Sequence, residues 1–184
     1  MMNTEFDYFN AALPMHDYIE KMTVEVLKER TEKIYDAFEI PANADLSGLE
    51  NKKILAITED WCGDAMLNNP IMLKMAEAAG AEMRAAYRDE DTDLIDRHLT
   101  NGGRAIPIYL FLNEDGELVG KWGPRAPELQ QLVVDGRAKL PAKEDEGYAE
   151  AEKAFYTSLQ QRYVEDPQTW EWVYNDILKA IQAL

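Results

Sequence analysis

Apolar positions between residues 14 and 39 recur at three- and four-residue intervals. Ile19, Met22, Val26, Leu27, Ile34 and Phe38 lie on one face of a 3.6-residue repeat. Pro14 suits a first helical position, and Pro41 with Asn43-Ala44-Asp45 ends the pattern, which predicts one helix over 14–39. Lys53-Ile54-Leu55-Ala56-Ile57-Thr58 is a short apolar run between polar flanks, the mark of a buried strand. A helical stretch follows Gly63 and runs to Ala79, with Leu67, Ile71 and Met75 on one face and Pro70 placed to kink it. Gly80 is its C-cap. Residues 82–87 predict a second strand, 91–100 a short helix, and Ile106-Pro107-Ile108-Tyr109-Leu110-Phe111-Leu112 a strongly apolar strand. Asn113-Glu114-Asp115-Gly116-Glu117 is a hairpin turn signal before a return strand over 118–122. Pro127 opens a further helix that Gly136 is expected to end.

Strands that alternate with helices and close on a hairpin predict an α/β fold with a mixed sheet. Beyond Pro141 the character becomes helical. Lys143 to Arg162 carries Tyr148, Ala151, Phe155 and Leu159 at helical spacing. Asp166-Pro167 is an N-cap followed by proline at the first helical position. Trp170, Val173, Tyr174, Ile177, Leu178 and Ile181 then form an apolar stripe that must find a partner surface, on the domain or on a second subunit. The expected organisation is an N-terminal helical extension over 1–51, a central domain over 52–140 and a C-terminal helical extension over 141–184.

The 184 residues carry 35 acidic and 19 basic side chains, a net charge of −16. Nucleic-acid backbones and anionic membrane surfaces would be repelled, so neither is an expected partner. No apolar run approaches the roughly 18 residues of a membrane span, and the start of the chain has no signal-peptide pattern. A soluble, cytoplasmic protein is expected. Cys62 is the lone cysteine, so there is no disulfide within the chain and no multi-cysteine metal site. His16 and His98 are too far apart for a metal-binding spacing, and neither a metal nor a cofactor is expected. His98 reads as a surface or capping residue, and His16 has no evident partner. Asp89-Glu90-Asp91 and Asp93 read as a solvated helix start, since the glycine and final glutamate of a calcium loop are missing. Met66, Met72, Met75 and Met83 read as core or groove wall.

The chemistry concentrates where a strand meets a helix at Trp61-Cys62-Gly63-Asp64-Ala65. Pro107 follows Cys62 by 107 − 62 = 45 residues. This arrangement resembles the thioredoxin superfamily over residues 52–138. Trp61, Cys62 and Gly63 match the first three positions of the family's Trp-Cys-Gly-Pro-Cys motif, and Pro70 matches the proline of its active-site helix. Gly103-Arg104-Ala105-Ile106-Pro107 looks like the approach to the family's cis-proline, and residues 113–123 look like its terminal hairpin. The resemblance implies a thioredoxin-like fold in which Cys62 faces Pro107 across a groove, with Trp61, Gly63, Asp64 and Ile106 as binding residues.

Departures from the pattern bear on function. The motif's second cysteine is Ala65, its proline is Asp64, and the family's buried acidic residue is Ala56. Ala65 cannot resolve a mixed disulfide, so dithiol turnover is not implied. A single-thiol exchange through Cys62 remains, acting on protein or low-molecular-weight disulfides and released by a small thiol. The alternative is a non-catalytic module that holds extended peptides between Trp61 and Pro107, with the Ile106 backbone pairing to them. A helix N-terminus would stabilise a Cys62 thiolate by roughly 0.3–1 kcal/mol. A carboxylate of Glu59, Asp60 or Asp64 about 6 Å away would oppose it by about 0.7 kcal/mol in water. The composition leaves that contest open. A third reading is a homodimer assembled through the terminal helices.

Overall fold

The computed structural model describes residues 1–184. A five-stranded mixed sheet is built from β1 (Leu13–Pro14), β2 (Lys53–Thr58), β3 (Glu82–Tyr87), β4 (Ile108–Leu112) and β5 (Leu118–Trp122). The spatial order is β1-β3-β2-β4-β5, with β2 and β3 parallel and every other neighbouring pair antiparallel. The helices are α1 (Glu5–Ala11), α2 (Met15–Glu20), α3 (Glu25–Ala37), α4 (Gly63–Ala79), α5 (Thr92–Asp96), α6 (Pro127–Ala138), α7 (Tyr148–Glu165) and α8 (Pro167–Gln182), with a 3₁₀ turn at Ser47–Leu49. This is the thioredoxin-like α/β architecture that the resemblance implied.

The two-residue period of the strands divides the core. Ile54, Ala56, Tyr109 and Phe111 point into a large cluster with α3, α4 and α8, whereas Leu55, Ile57, Ile108, Leu110 and Leu112 point into a smaller one with Phe9 of α1 and Leu94 and Ile95 of α5. Strands apolar on both faces are what a sheet covered on both sides requires. The large cluster joins the early helices to the last one, and α8 buries Trp170, Val173, Tyr174, Ile177 and Ile181 in it. Each such side chain contributes roughly 1.5–3 kcal/mol before ordering costs. Trp122 Nε1 also donates to Asp176 of α8 at 2.8 Å, so the apolar stripe is satisfied within the chain.

Four local expectations are corrected. The helix over 14–39 is two helices, α2 and α3, because the Thr23 backbone N–H and hydroxyl donate to the Asp60 carboxylate at 2.7 and 2.8 Å and take that turn out of the helical ladder. Pro14 accordingly sits in β1, opposite Arg84, and caps α2 from outside. Helix α1 was not anticipated. Its start is closed by Thr4, which accepts from Asp7 N while the Asp7 carboxylate accepts from Thr4 N. Gly136 does not end α6; it lies inside the last turn, where a Cβ would collide with the Phe155 ring of α7. The helix expected over 91–100 is one short turn, Thr92–Asp96, capped by Asp91.

Candidate functional site

Strand β2 ends at Thr58, and the next four residues turn the chain into α4. Cys62 is the N-cap residue of α4, with an extended backbone at φ −86° and ψ 121°, and its carbonyl accepts from Met66 N at 3.0 Å. The sulfur lies 3.6 Å from the Ile106 carbonyl oxygen, to which the thiol donates. The Ile106–Pro107 peptide bond is cis, as is Gly123–Pro124. The residues that the sequence paired across 45 positions therefore meet. Trp61 stands beside them, 49% exposed, with the Arg88 guanidinium 5.0 Å from its ring centre. Arg88 in turn donates to the Arg104 carbonyl at 3.0 Å, tying the tryptophan side of the groove to the approach to Ile106.

Of the three acidic neighbours of Cys62, two are engaged elsewhere. Glu59 is buried and accepts from Asp89 N at 2.9 Å, and Asp60 holds Thr23. Asp64 remains at the sulfur. Its carboxylate pairs with Arg125 at 2.8 Å and accepts from the Tyr163 hydroxyl at 3.1 Å. Helix α7 lies directly over this turn: Gln160 packs on Gly63 so closely that a Cβ there would come within 2.6 Å of its amide nitrogen. A cavity of about 140 Å³ is left between the two helices, lined by Trp61, Cys62, Arg125 and Tyr163 among others.

The contest over the thiolate now has an outcome. Burial, and after it the Asp64 carboxylate, push the Cys62 thiol up to about 11. The N–H groups of Ala65 and Asp64 and the Arg125 guanidinium pull the other way without prevailing. Beneath the thiol lies a chain of neutral polar groups. Asn69 donates to the Thr58 hydroxyl at 3.1 Å and accepts from the Tyr109 hydroxyl at 2.7 Å, and Tyr18 meets Thr58 at 3.4 Å. Burial raises both tyrosines above the ordinary phenol value. Ala56 and Ala65 are fully packed, so no carboxylate or second sulfur stands at either position.

Trp61, Cys62, Gly63, Asp64, Ile106 and Pro107 are thus brought to one place, as the motif implied. Arg125, Gln160 and Tyr163 complete it and were missed, because no local spacing signals a partner 99 residues away, as Tyr163 is from Asp64. Two histidine expectations are corrected. His98 is buried and contacts Glu5 at 3.2 Å, with burial lowering its pKa. His16 does have a partner, Glu77, at 3.0 Å. No group of three or more histidine, cysteine or acidic side chains is arranged to hold a metal ion. No helix is long and apolar enough to cross a membrane.

Comparison with known proteins agrees with this geometry. None of the curated proteins matches the chain. Among solved structures, a protein of unknown function from Pseudomonas aeruginosa superposes over 98% of both chains with a TM-score of 0.64 at 18% identity. An HIV epitope scaffold superposes over 97% of both chains with a TM-score of 0.60 at 16% identity. Those likenesses concern the fold. At the level of sequence, the family model described as thioredoxin matches residues 12–145, well over half the chain, with the Cys62 turn and the Ile106–Pro107 bond both inside it. The chain belongs to the thioredoxin family.

Proposed function

We propose that this protein is a thioredoxin-fold binding module, in which the groove between Trp61 and the Ile106–Pro107 segment receives an extended peptide and Cys62 serves as a resting thiol. The observation that carries this reading is the state of Cys62, whose S–H is donated to the Ile106 carbonyl and whose pKa lies at about 11. At pH 7 about one molecule in ten thousand is then a thiolate, against a few per cent for an ordinary cysteine. The half-exposed Trp61 offers an aromatic surface, and the Ile106 N–H has no partner within the chain, so it is free to pair with an added strand. A lone unpaired thiol suits a reducing compartment such as the cytoplasm.

A second reading is single-thiol exchange. The partly accessible position of Cys62, lining a cavity at a helix N-terminus, favours it. The Cys62 thiolate would attack a protein or small-molecule disulfide, forming a mixed disulfide and releasing one thiol. A second small thiol would then restore Cys62 and carry the substrate sulfur away.

Two variants separate the readings. Binding of an extended-peptide library should be unchanged within about twofold in Cys62→Ser and weakened about tenfold in Trp61→Ala. Loss of all capture in Cys62→Ser, with retention in Trp61→Ala, would favour the exchange reading instead.

A further inference from the structure

The far side of the sheet carries a second concavity that the thiol groove does not explain. It measures about 470 Å³, within the roughly 300–1,000 Å³ range of small-molecule sites. Its floor is Ile57 and Ala86, each next to the last residue of the parallel strands β2 and β3, together with Leu94 of α5. Ala12, beside α1, forms part of its wall. Alanine at 12 and 86 is what leaves the space open; larger apolar residues would complete the small core under α1.

The rim is acidic. Asp7, Glu90 and Asp91 line the mouth, no lysine or arginine does, and none of the three is in an ion pair. Hydrogen bonds from Thr4 hold Asp7, and one from Tyr8 holds Asp91, below the usual carboxylate range, so both stay charged at neutral pH. Basic groups on the adjoining elements are committed: Arg84 pairs with Glu82 at 2.6 Å. Arg97 lies over the Tyr8 ring and pairs with Glu5 at 3.1 Å, and Arg88 pairs with Asp89 at 2.8 Å. An anionic ligand would meet carboxylates that no ion pair neutralises, and a purely apolar one would leave them unused.

We propose that this cavity is a binding site for a small organic cation, a protonated amine on a compact apolar or aromatic body, with the body on Ile57, Ala86 and Leu94 and the ammonium at Glu90 and Asp91. The site is independent of the peptide groove and stands or falls separately from it.

The test is a titration of ¹⁵N-labelled full-length protein with tryptamine, and with indole-3-acetate as its anionic counterpart. Tryptamine should shift the amides of Ile57, Ala86 and Leu94 in a saturable way, and indole-3-acetate should bind at least about tenfold more weakly. Asn keeps the capping role of residue 91, so the double variant Glu90→Gln/Asp91→Asn should fold normally and lose about tenfold in tryptamine affinity. Ala86→Leu fills the floor and should abolish the shifts. Equal binding of amine and acid overturns the proposal, as do shifts confined to other parts of the molecule. So does unchanged affinity in the double variant, which keeps the test decisive if Ala86→Leu unfolds, or the absence of any shift up to about 10 mM tryptamine.

Discussion

Replacing Asp64 by Asn isolates the electrostatic half of what keeps Cys62 protonated. The substitution removes the negative charge that Cys62 feels most strongly after burial, and it releases Arg125 from its ion pair beside the sulfur. A unit charge about 6 Å away at an effective dielectric of about 20 is worth about 3 kcal/mol, or about two pKa units. The burial contribution stays, so the thiol should remain at or above the ordinary cysteine value while the thiolate fraction at pH 7 rises about a hundredfold. Each thiolate becomes less nucleophilic as its pKa falls, with a Brønsted slope of about 0.4–0.5, which takes back about six- to tenfold. The net expectation is an alkylation rate by iodoacetamide about tenfold faster than wild type at pH 7, with the pH profile shifted to lower pH. Mass spectrometry of the intact protein over time reads this directly, and circular dichroism checks the fold. An unchanged or slower rate would refute the electrostatic argument. A wild-type protein that alkylates at pH 7 as fast as a cysteine peptide would refute the raised pKa itself.

Ile177 is fully buried between α8 and the rest of the core, so Ile177→Ala should cost about 2–5 kcal/mol in urea unfolding; a loss under about 1 kcal/mol would mean that α8 is not part of the folding unit. The Cys62 pKa is higher folded than unfolded, so its contribution is intact below about pH 8.5 and is lost as pH rises to about 11. Relative to Cys62→Ala, wild type should therefore lose roughly 2–3 kcal/mol between pH 8 and pH 10.5, and parallel stability curves would contradict this. His98 is displaced the other way, its folded pKa lying below the unfolded value through burial. Its contribution is present above about pH 6.5 and lost on acidification, so His98→Gln should flatten the fall in stability between pH 6.5 and 5.

Much of the fold was legible because its periods are clean. The β2 and β4 runs are apolar on both faces, and α4, α6 and α8 carry proline or glycine near their ends. Helix α1 escaped because a seven-residue helix offers barely one repeat, and its cap closes on Asp7 where a glutamate or glutamine would have signalled a capping box. The break between α2 and α3 escaped because its cause is Asp60, 37 residues on. The site divides in the same way. Trp61, Cys62, Ile106 and Pro107 stand in a recognisable order, and their meeting follows from β2 pairing with β4. The fate of the thiol was not legible, since it depends on which carboxylate faces the sulfur. Of three acidic residues within three positions, only Asp64 does, and its partners Arg125 and Tyr163 come from the loop before α6 and from α7.

The most direct test of Cys62 as a resting thiol is steady-state turnover of a small disulfide, hydroxyethyl disulfide, by the purified protein with a small thiol as reductant at neutral pH. The uncatalysed rate, identical for wild type and Cys62→Ser, is the result expected from a partly buried thiol at about 11 with Ala65 in the resolving position. Saturable turnover above that background, abolished by Cys62→Ser, would contradict it and would establish single-thiol exchange in its place.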